Sequence, residues 1–315
     1  MKILLAILFI CFFLGAMPSR AQESSLEPLA DYEELEKEQE MVRRARQYAD
    51  AGKYIKAADW YRRAAAAQST SEKRAGYMFL EAENLLLGRK SRRAKEVYFE
   101  LVNNYRFFIP LHTALEQMRE LADYFEHGTG TLLHFPDPGT AIEIYQLIVS
   151  CQPGGEQSLA DRLVLGKKLE ADGQSEAAVK LYQETIKLLP RNPDVRLALA
   201  QCLSGLAAKS DGDGELSRAA IREARTFLEL ATPADPRRGQ VTEILTRGQN
   251  DEAKRLLERA EFYLVKYHYR PEVARRYLLD IQRNYPDSDV ISRVRELLEQ
   301  HFPEDAAESR PSSIQ

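Results

Sequence analysis

The sequence predicts an all-α protein, a right-handed superhelical stack of helix hairpins, and three observations carry that prediction. From Lys37 onward the chain is rich in Ala, Leu, Glu, Lys, Arg and Gln, the strong helix formers, with no period-2 alternation of β-branched residues. Gly, Pro or Asp-Gly breakers interrupt it every ~15 residues, the length of a short helix. The same small and large residues also return at a near-constant step: Ala57 recurs as Ala94, 37 residues on.

The chain begins with Lys2, an apolar run from Ile3 to Ala16, and Met17-Pro18-Ser19-Arg20-Ala21. A run of about 14 residues is short of the ~20 needed to cross a bilayer, and small residues at Ser19 and Ala21 suit cleavage before Gln22. Residues 1–21 are therefore expected to be a secretory signal peptide; an uncleaved anchor would need more apolar length. The expected location is periplasmic, in association with the outer membrane, and cleavage takes the net charge from -4 to -6. Cys11 lies inside the apolar run, so no lipid-carrying cysteine stands at the cleavage point. Residues 22–36 read as an acidic leader.

Residues 37–236 hold five copies of one pattern, a small residue on each of two helices and an aromatic or large residue one turn later. Ala45, Tyr48, Gly52, Ala57, Tyr61 and Ala64 form the first copy; Ala82, Leu85, Gly88, Ala94, Tyr98 and Leu101 form the second. The third pairs Ala122 and Phe125 with Ala141, Tyr145, Ile148 and Pro153 across a long turn, Gly128 to Pro138. The clearest runs from Leu159 to Pro190, with Leu165-Gly166, Leu169, Gly173, Ala178, Tyr182 and Thr185. The fifth has Leu199, Ala200 and Leu203, a polar loop Ser210 to Gly214, then Ala224, Leu228, Ala231 and Pro236. Small residues let paired helices approach, while Tyr61, Tyr98, Tyr145 and Tyr182 are expected to fill the wedge between hairpins rather than form a stacking platform for ligands. Residues 237–302 form a last unit, with a helix expected over Asp251–His268, then Ala274, Leu278 and Ile281, and a final helix from about Val290 to His301. Residues 303–315 have the composition of a disordered tail.

Leu165-Gly166, Ala178, Tyr182 and Pro190 fall where the W-x2-L-G-x2-Y, A-x3-F and closing-Pro pattern of the tetratricopeptide repeat places such residues, so the chain resembles the tetratricopeptide (TPR) superfamily from about Lys37 to His301. Within the last unit, Ala260, Phe262, Tyr263, Tyr269, Ala274, Tyr277, Ile281 and Tyr285-Pro286-Asp287-Ser288 resemble the repeats of the BamD-like outer-membrane assembly lipoproteins. The first resemblance implies a superhelix whose first helices line a concave protein-binding groove. The second implies envelope or outer-membrane assembly components as partners.

The expected function is thus an exported, non-catalytic scaffold or adaptor; the alternative is an accessory or binding subunit for peptidoglycan or polysaccharide export. The groove residues expected to touch a partner are Arg46, Glu83, Lys167 and Gln201, each of which directly follows a small packing residue on a first helix: Ala45, Ala82, Gly166 and Ala200. No cofactor, metal or catalytic residue is expected. The histidines are scattered, His127 and His134 being the nearest pair, and no acid, base and nucleophile can be grouped. Gly128-Thr129-Gly130 lacks the lysine and third glycine of a phosphate loop. Asp211-Gly212-Asp213 alternates oxygens like a calcium loop, but Arg222 stands where the closing glutamate belongs. A pI near 5.9 and interleaved charges argue against nucleic acid. Cys151 and Cys202 lie more than one repeat apart, which disfavours a disulfide between them.

Overall fold

The computed structural model describes residues 27–128, 135–152, 154–209 and 214–304, with side chains from Glu34 onward. The signal peptide, the start of the leader, His134, Pro153, the Asp211–Asp213 loop and the tail from residue 305 lie outside the described residues. All regular structure described is helical: α1 (Glu27–Asp50), α2 (Tyr54–Ala66), α3 (Ser71–Leu87), α4 (Ser91–Asn104), α5 (Leu111–Glu126), α6 (Pro138–Cys151), α7 (Glu156–Ala171), α8 (Ser175–Leu188), α9 (Pro193–Ala207), α10 (Glu215–Leu230), α11 (Arg238–Leu264), a 3-10 turn (Lys266–His268), α12 (Pro271–Asn284) and α13 (Ile291–His301). Five of the six expected copies are pairs of consecutive packed helices, α1–α2, α3–α4, α7–α8, α9–α10 and α11–α12, with α13 packed on α12.

The chain divides into two compact units, residues up to 147 and from 148 onward. In the first, consecutive helices pack from α1 to α5 and α3 also packs on α5; in the second, consecutive helices pair from α7 to α13, and α7–α9 and α9–α11 also touch. Neighbour-plus-next-neighbour contact is the pattern of an α-solenoid, in which each hairpin buries its faces on adjacent hairpins. The helix that opens residues 237–302, α11, packs on both α9 and α10.

Local chemistry sets the turns. After α1, Gly52 at φ +69° lets the Lys53 amide donate to the Tyr48 carbonyl at 2.8 Å, and Gly173 at φ +81° does the same between Gln174 and Leu169. These are Schellman closures, which need a left-handed residue just past the helix. After α3 the glycine is expected at Gly88, yet that residue has φ -79° and the left-handed place falls to Arg89 at φ +54°. The same closure forms there, from the Lys90 amide to the Leu85 carbonyl at 2.8 Å. Before α9, Asn192 accepts from the amides of Asp194 and Val195 at 2.9 and 3.2 Å, an N-cap that fixes where the helix starts.

Every alanine expected at a close-packed position is buried, from Ala45, Ala57, Ala82 and Ala94 to Ala260 and Ala274. At Gly166 an added Cβ would run into the Tyr182 ring, the close approach that the small residue permits. Tyr61, Tyr98 and Tyr182 fill wedges as expected. Tyr145 does not: it is half-exposed, and Ile144 and Ile148 take the fully buried places on α6. On α10 the buried side chain is Phe227 rather than the expected Leu228. In both cases the flanking places stay buried, Ala141 and Ile148 on α6 and Ala224 on α10 with Ala231 just past its end, and only the large residue between them moves from the fourth to the third place after the alanine.

Two boundaries also differ. α1 starts at Glu27, inside the expected acidic leader, because nothing between Glu27 and Lys37 forbids a helix. α11 starts at Arg238 rather than Asp251 and ends at Leu264; Gly239 and Gly248 weaken but do not break it. Gly248 has a use, since an added Cβ would meet Ile221 Cγ1 of α10 at 3.0 Å.

Candidate protein-binding face

First helices of successive hairpins in the first unit are tied by polar groups, directly between α1 and α3 and through a second-helix tyrosine between α3 and α5. In the first unit, Glu38 of α1 accepts from the Tyr77 hydroxyl at 2.6 Å and from Lys73 Nζ at 3.2 Å, both on α3. The Tyr77 bond, with help from Lys73, holds the Glu38 carboxyl below the usual range, while burial and then Glu38 push the Tyr77 hydroxyl up to about 12. One hairpin on, the wedge tyrosine of α4 emerges between α3 and α5. The Tyr98 hydroxyl donates to Gln117 Oε1 at 2.7 Å, and Gln117 Nε2 donates to Glu83 Oε1 at 2.9 Å. Burial raises Tyr98 far above the ordinary tyrosine value, and the nearby Glu83 and Glu120 raise it further. The fixed hydroxyl therefore acts as a neutral donor at any physiological pH.

Beside this chain lies a cavity of about 460 Å³, walled by Ala49, Tyr54, Glu83, Asn84, Leu86, Leu87, Arg89, Gln117, Glu120 and Tyr124. Its wall mixes an exposed apolar side chain, Leu87, with acceptors on Glu83 and Glu120. Asn84 donates from Nδ2 to the Leu80 carbonyl at 2.8 Å, while its buried Oδ1 has no partner among the described residues. Arg89 holds its left-handed backbone at this same wall. Non-glycine residues in that conformation cluster where a side chain is needed for contact, since the conformation itself costs about 1–2 kcal/mol.

Arg46 and Glu83 are brought into one neighbourhood: both act on the Tyr61 hydroxyl, which burial raises, Arg46 lowering its pKa and Glu83 raising it. Arg46 is exposed and Glu83 half-buried. Lys167 and Gln201 belong to the second unit, on α7 and α9; the first is exposed, the second half-buried, and neither side chain makes a hydrogen bond or ion pair among the described residues. Close to them, the Tyr182 hydroxyl donates to Glu170 Oε1 at 2.7 Å, and Cys202 donates to the Ser175 carbonyl at 3.6 Å. Burial, followed by Glu170, pushes the Cys202 thiol up to about 12. Both described cysteines are free.

Asn84, Arg89 and Gln117 were outside the sequence expectation, which took one residue after each small packing residue on four of the first helices. Applied to α5, the same rule points to Asp123, which follows Ala122. Asp123, Glu126 and His127 do form an exposed group there, with Asp123 Oδ1 3.1 Å from His127 Nδ1. All three side chains are open to solvent, and their arrangement is that of an ordinary i, i+4 surface pair.

The fold and this face define a helical-hairpin repeat protein. The sequence matches no protein-family model. No curated protein matches it. Among solved structures it is similar to the C-terminal part of a TPR repeat-containing protein from Cytophaga hutchinsonii, with 14% identity over 81% of this chain and 86% of that one, at a TM-score of 0.35. It is also similar to the TPR2AB domain of yeast Sti1 in a pHSP90 complex, with 14% identity over 84% of this chain and 98% of that one, at a TM-score of 0.28. The architecture stands on the helix packing described above.

Proposed function

We propose that the chain is an exported scaffold that holds segments of other proteins along the face made by its first helices, and that it serves outer-membrane protein assembly in the periplasm. The observation that carries the binding role is the wall around Glu83: a cavity sized for one or two side chains, lined by fixed donors and acceptors, a buried acceptor on Asn84 and a left-handed arginine. Tyr98, Gln117 and Glu83 are already locked to one another, so a partner would meet a preorganised surface and lose little side-chain entropy of the receptor on binding. The export and assembly roles rest on the apolar N-terminal run and on the resemblance of the last unit to BamD-like repeats.

A photo-crosslinking amino acid placed at Glu83, and separately at Lys167, in cells tests both parts at once. Capture of outer-membrane assembly components, with a mature N-terminus at Gln22, is the expected result. A retained N-terminus, or crosslinks confined to cytosolic proteins, would remove the assembly role; crosslinks absent from both positions would remove the binding face.

A further inference from the structure

A second surface lies at the end of α11 and includes none of Arg46, Glu83, Lys167 or Gln201. Phe262, Val265, Tyr267 and Tyr269 are exposed within eight residues, Tyr267 at 90%. Isolated apolar residues are ordinary on a protein surface; a contiguous patch marks an interaction site. Contiguity here is built by the backbone. The 3-10 turn folds back on the helix, the His268 amide donating to the Val265 carbonyl at 2.9 Å and the Arg270 amide to the Tyr263 carbonyl at 2.8 Å. The His268 ring is thereby stacked on Phe262 at 4.3 Å, Phe262 meets Tyr263 edge-on at 5.3 Å, and Tyr263 stacks on Tyr277 of α12 at 6.3 Å.

At the foot of this aromatic row is a cavity of about 540 Å³, walled by Arg255, Glu258, Arg259, Phe262, Tyr263 and Tyr277. The surrounding charge is opposite in sign to that of the whole protein. From Arg255 to Arg276 there are six basic and three acidic residues, in a chain of net charge -4. Arg255 is committed to the buried Glu252, and Glu261 to Arg293 of α13 at 3.2 Å. Arg259, Lys266 and Arg270 are exposed, and no ion pair is formed by them among the described residues.

We propose that this surface docks an acidic segment of a partner protein, its aromatic or aliphatic side chain entering the cavity and its carboxylates meeting Arg259, Lys266 and Arg270. Aromatic side chains and arginine are the groups that carry most binding energy at protein interfaces, and both are concentrated here. The cavity favours a peptide, whose single side chain can enter it, over the broad face of an anionic bilayer.

The test is to pan a phage library of random peptides, each about a dozen residues long, on the immobilised full-length protein. The selected peptides are then titrated by fluorescence anisotropy. Enrichment of Asp and Glu beside aromatic or aliphatic residues is expected, with binding that weakens as salt is raised. The double variant K266E/R270E and the single variant Tyr267→Ser, all at exposed positions, should each weaken binding by about tenfold or more with unchanged circular dichroism. Glu83→Gln should leave this binding intact, which separates failure of the docking surface from failure of the first-helix face. Selected peptides without acidic enrichment, no enrichment over an uncoated surface, or binding indifferent to K266E/R270E would overturn the proposal. So would binding to phosphatidylglycerol vesicles that the double variant abolishes while no peptide is selected.

Discussion

Glu81 gives the sharpest prediction, because its burial and its partners pull in opposite directions. The side chain lies on the inner side of α3, 4% exposed, with its Oε1 3.7 Å from Arg93 Nη2. That guanidinium is held more closely by Asp59, at 2.9 Å. Burial pushes the Glu81 carboxyl from its ordinary 4.5 up to about 7, and Arg62 and Arg93 pull it down without cancelling the burial. A raised acid pKa means that the folded protein holds the proton more tightly than the unfolded chain. The stabilisation is complete below pH 4.5, falls as pH rises, and is lost above about 7; the separation of the two values corresponds to about 3 kcal/mol. Glu81→Gln mimics the protonated form at every pH. The single tryptophan, Trp60, sits in the same unit between Arg44 and Arg63, so its fluorescence reports unfolding of that unit in urea. Between pH 5 and pH 8 the midpoint of the wild type should fall relative to that of the variant, and at pH 8 the variant should be more stable by up to about 3 kcal/mol, about 1 M or more in urea. Parallel pH profiles for the two proteins, or a variant less stable at pH 8, would show that the Arg93 pair outweighs burial and would refute the reasoning.

Three further outcomes follow from named contacts. Gly166→Ala should lower stability by about 1–3 kcal/mol, read as a fall in melting temperature, because its Cβ would meet the buried Tyr182 ring; an unchanged melting temperature would mean that the ring can move aside. Arg89→Gly relieves a left-handed backbone and should raise stability by about 1 kcal/mol, while weakening any partner held at the Glu83 cavity; a lower melting temperature would mean that the arginine's contacts exceed the strain. With a thiol reagent at pH 8, Cys151, which is half-buried, should label in the native state, whereas Cys202, 3% exposed and pushed up to about 12, should label after denaturant is added; peptide mass mapping identifies the order, and equal rates would contradict the burial.

The small residues were legible because they answer a local requirement. Wherever two helices cross at close range the side chain must be small, and Ala45, Ala82, Ala178 and Ala224 announce those crossings from the chain alone. The breakers were legible for a similar reason, as at Gly52 and Gly173, where the turn demands a left-handed residue. The candidate site was legible in part. Glu83, singled out by its place beside Ala82, lines the cavity and Arg46 does not; Gln117, Asn84 and Arg89 were not singled out, since the bonds and cavity that give them meaning join residues 34 apart, such as Gln117 and Glu83.

The sequence by itself determined that this protein is a succession of helix hairpins, because helix propensity, breaker spacing and the recurring small residues are all properties of short segments. The tertiary structure decided which way each helix turns and what its polar groups meet. Ile144 took the core place from Tyr145, and Phe227 from Leu228, because the side chain that is buried is chosen by the helices on either side. The Tyr98–Gln117–Glu83 chain, the Glu81 burial and the Tyr263–Tyr277 stack exist because separate helices are brought to a few ångströms of one another, and no pattern within one helix encodes that distance.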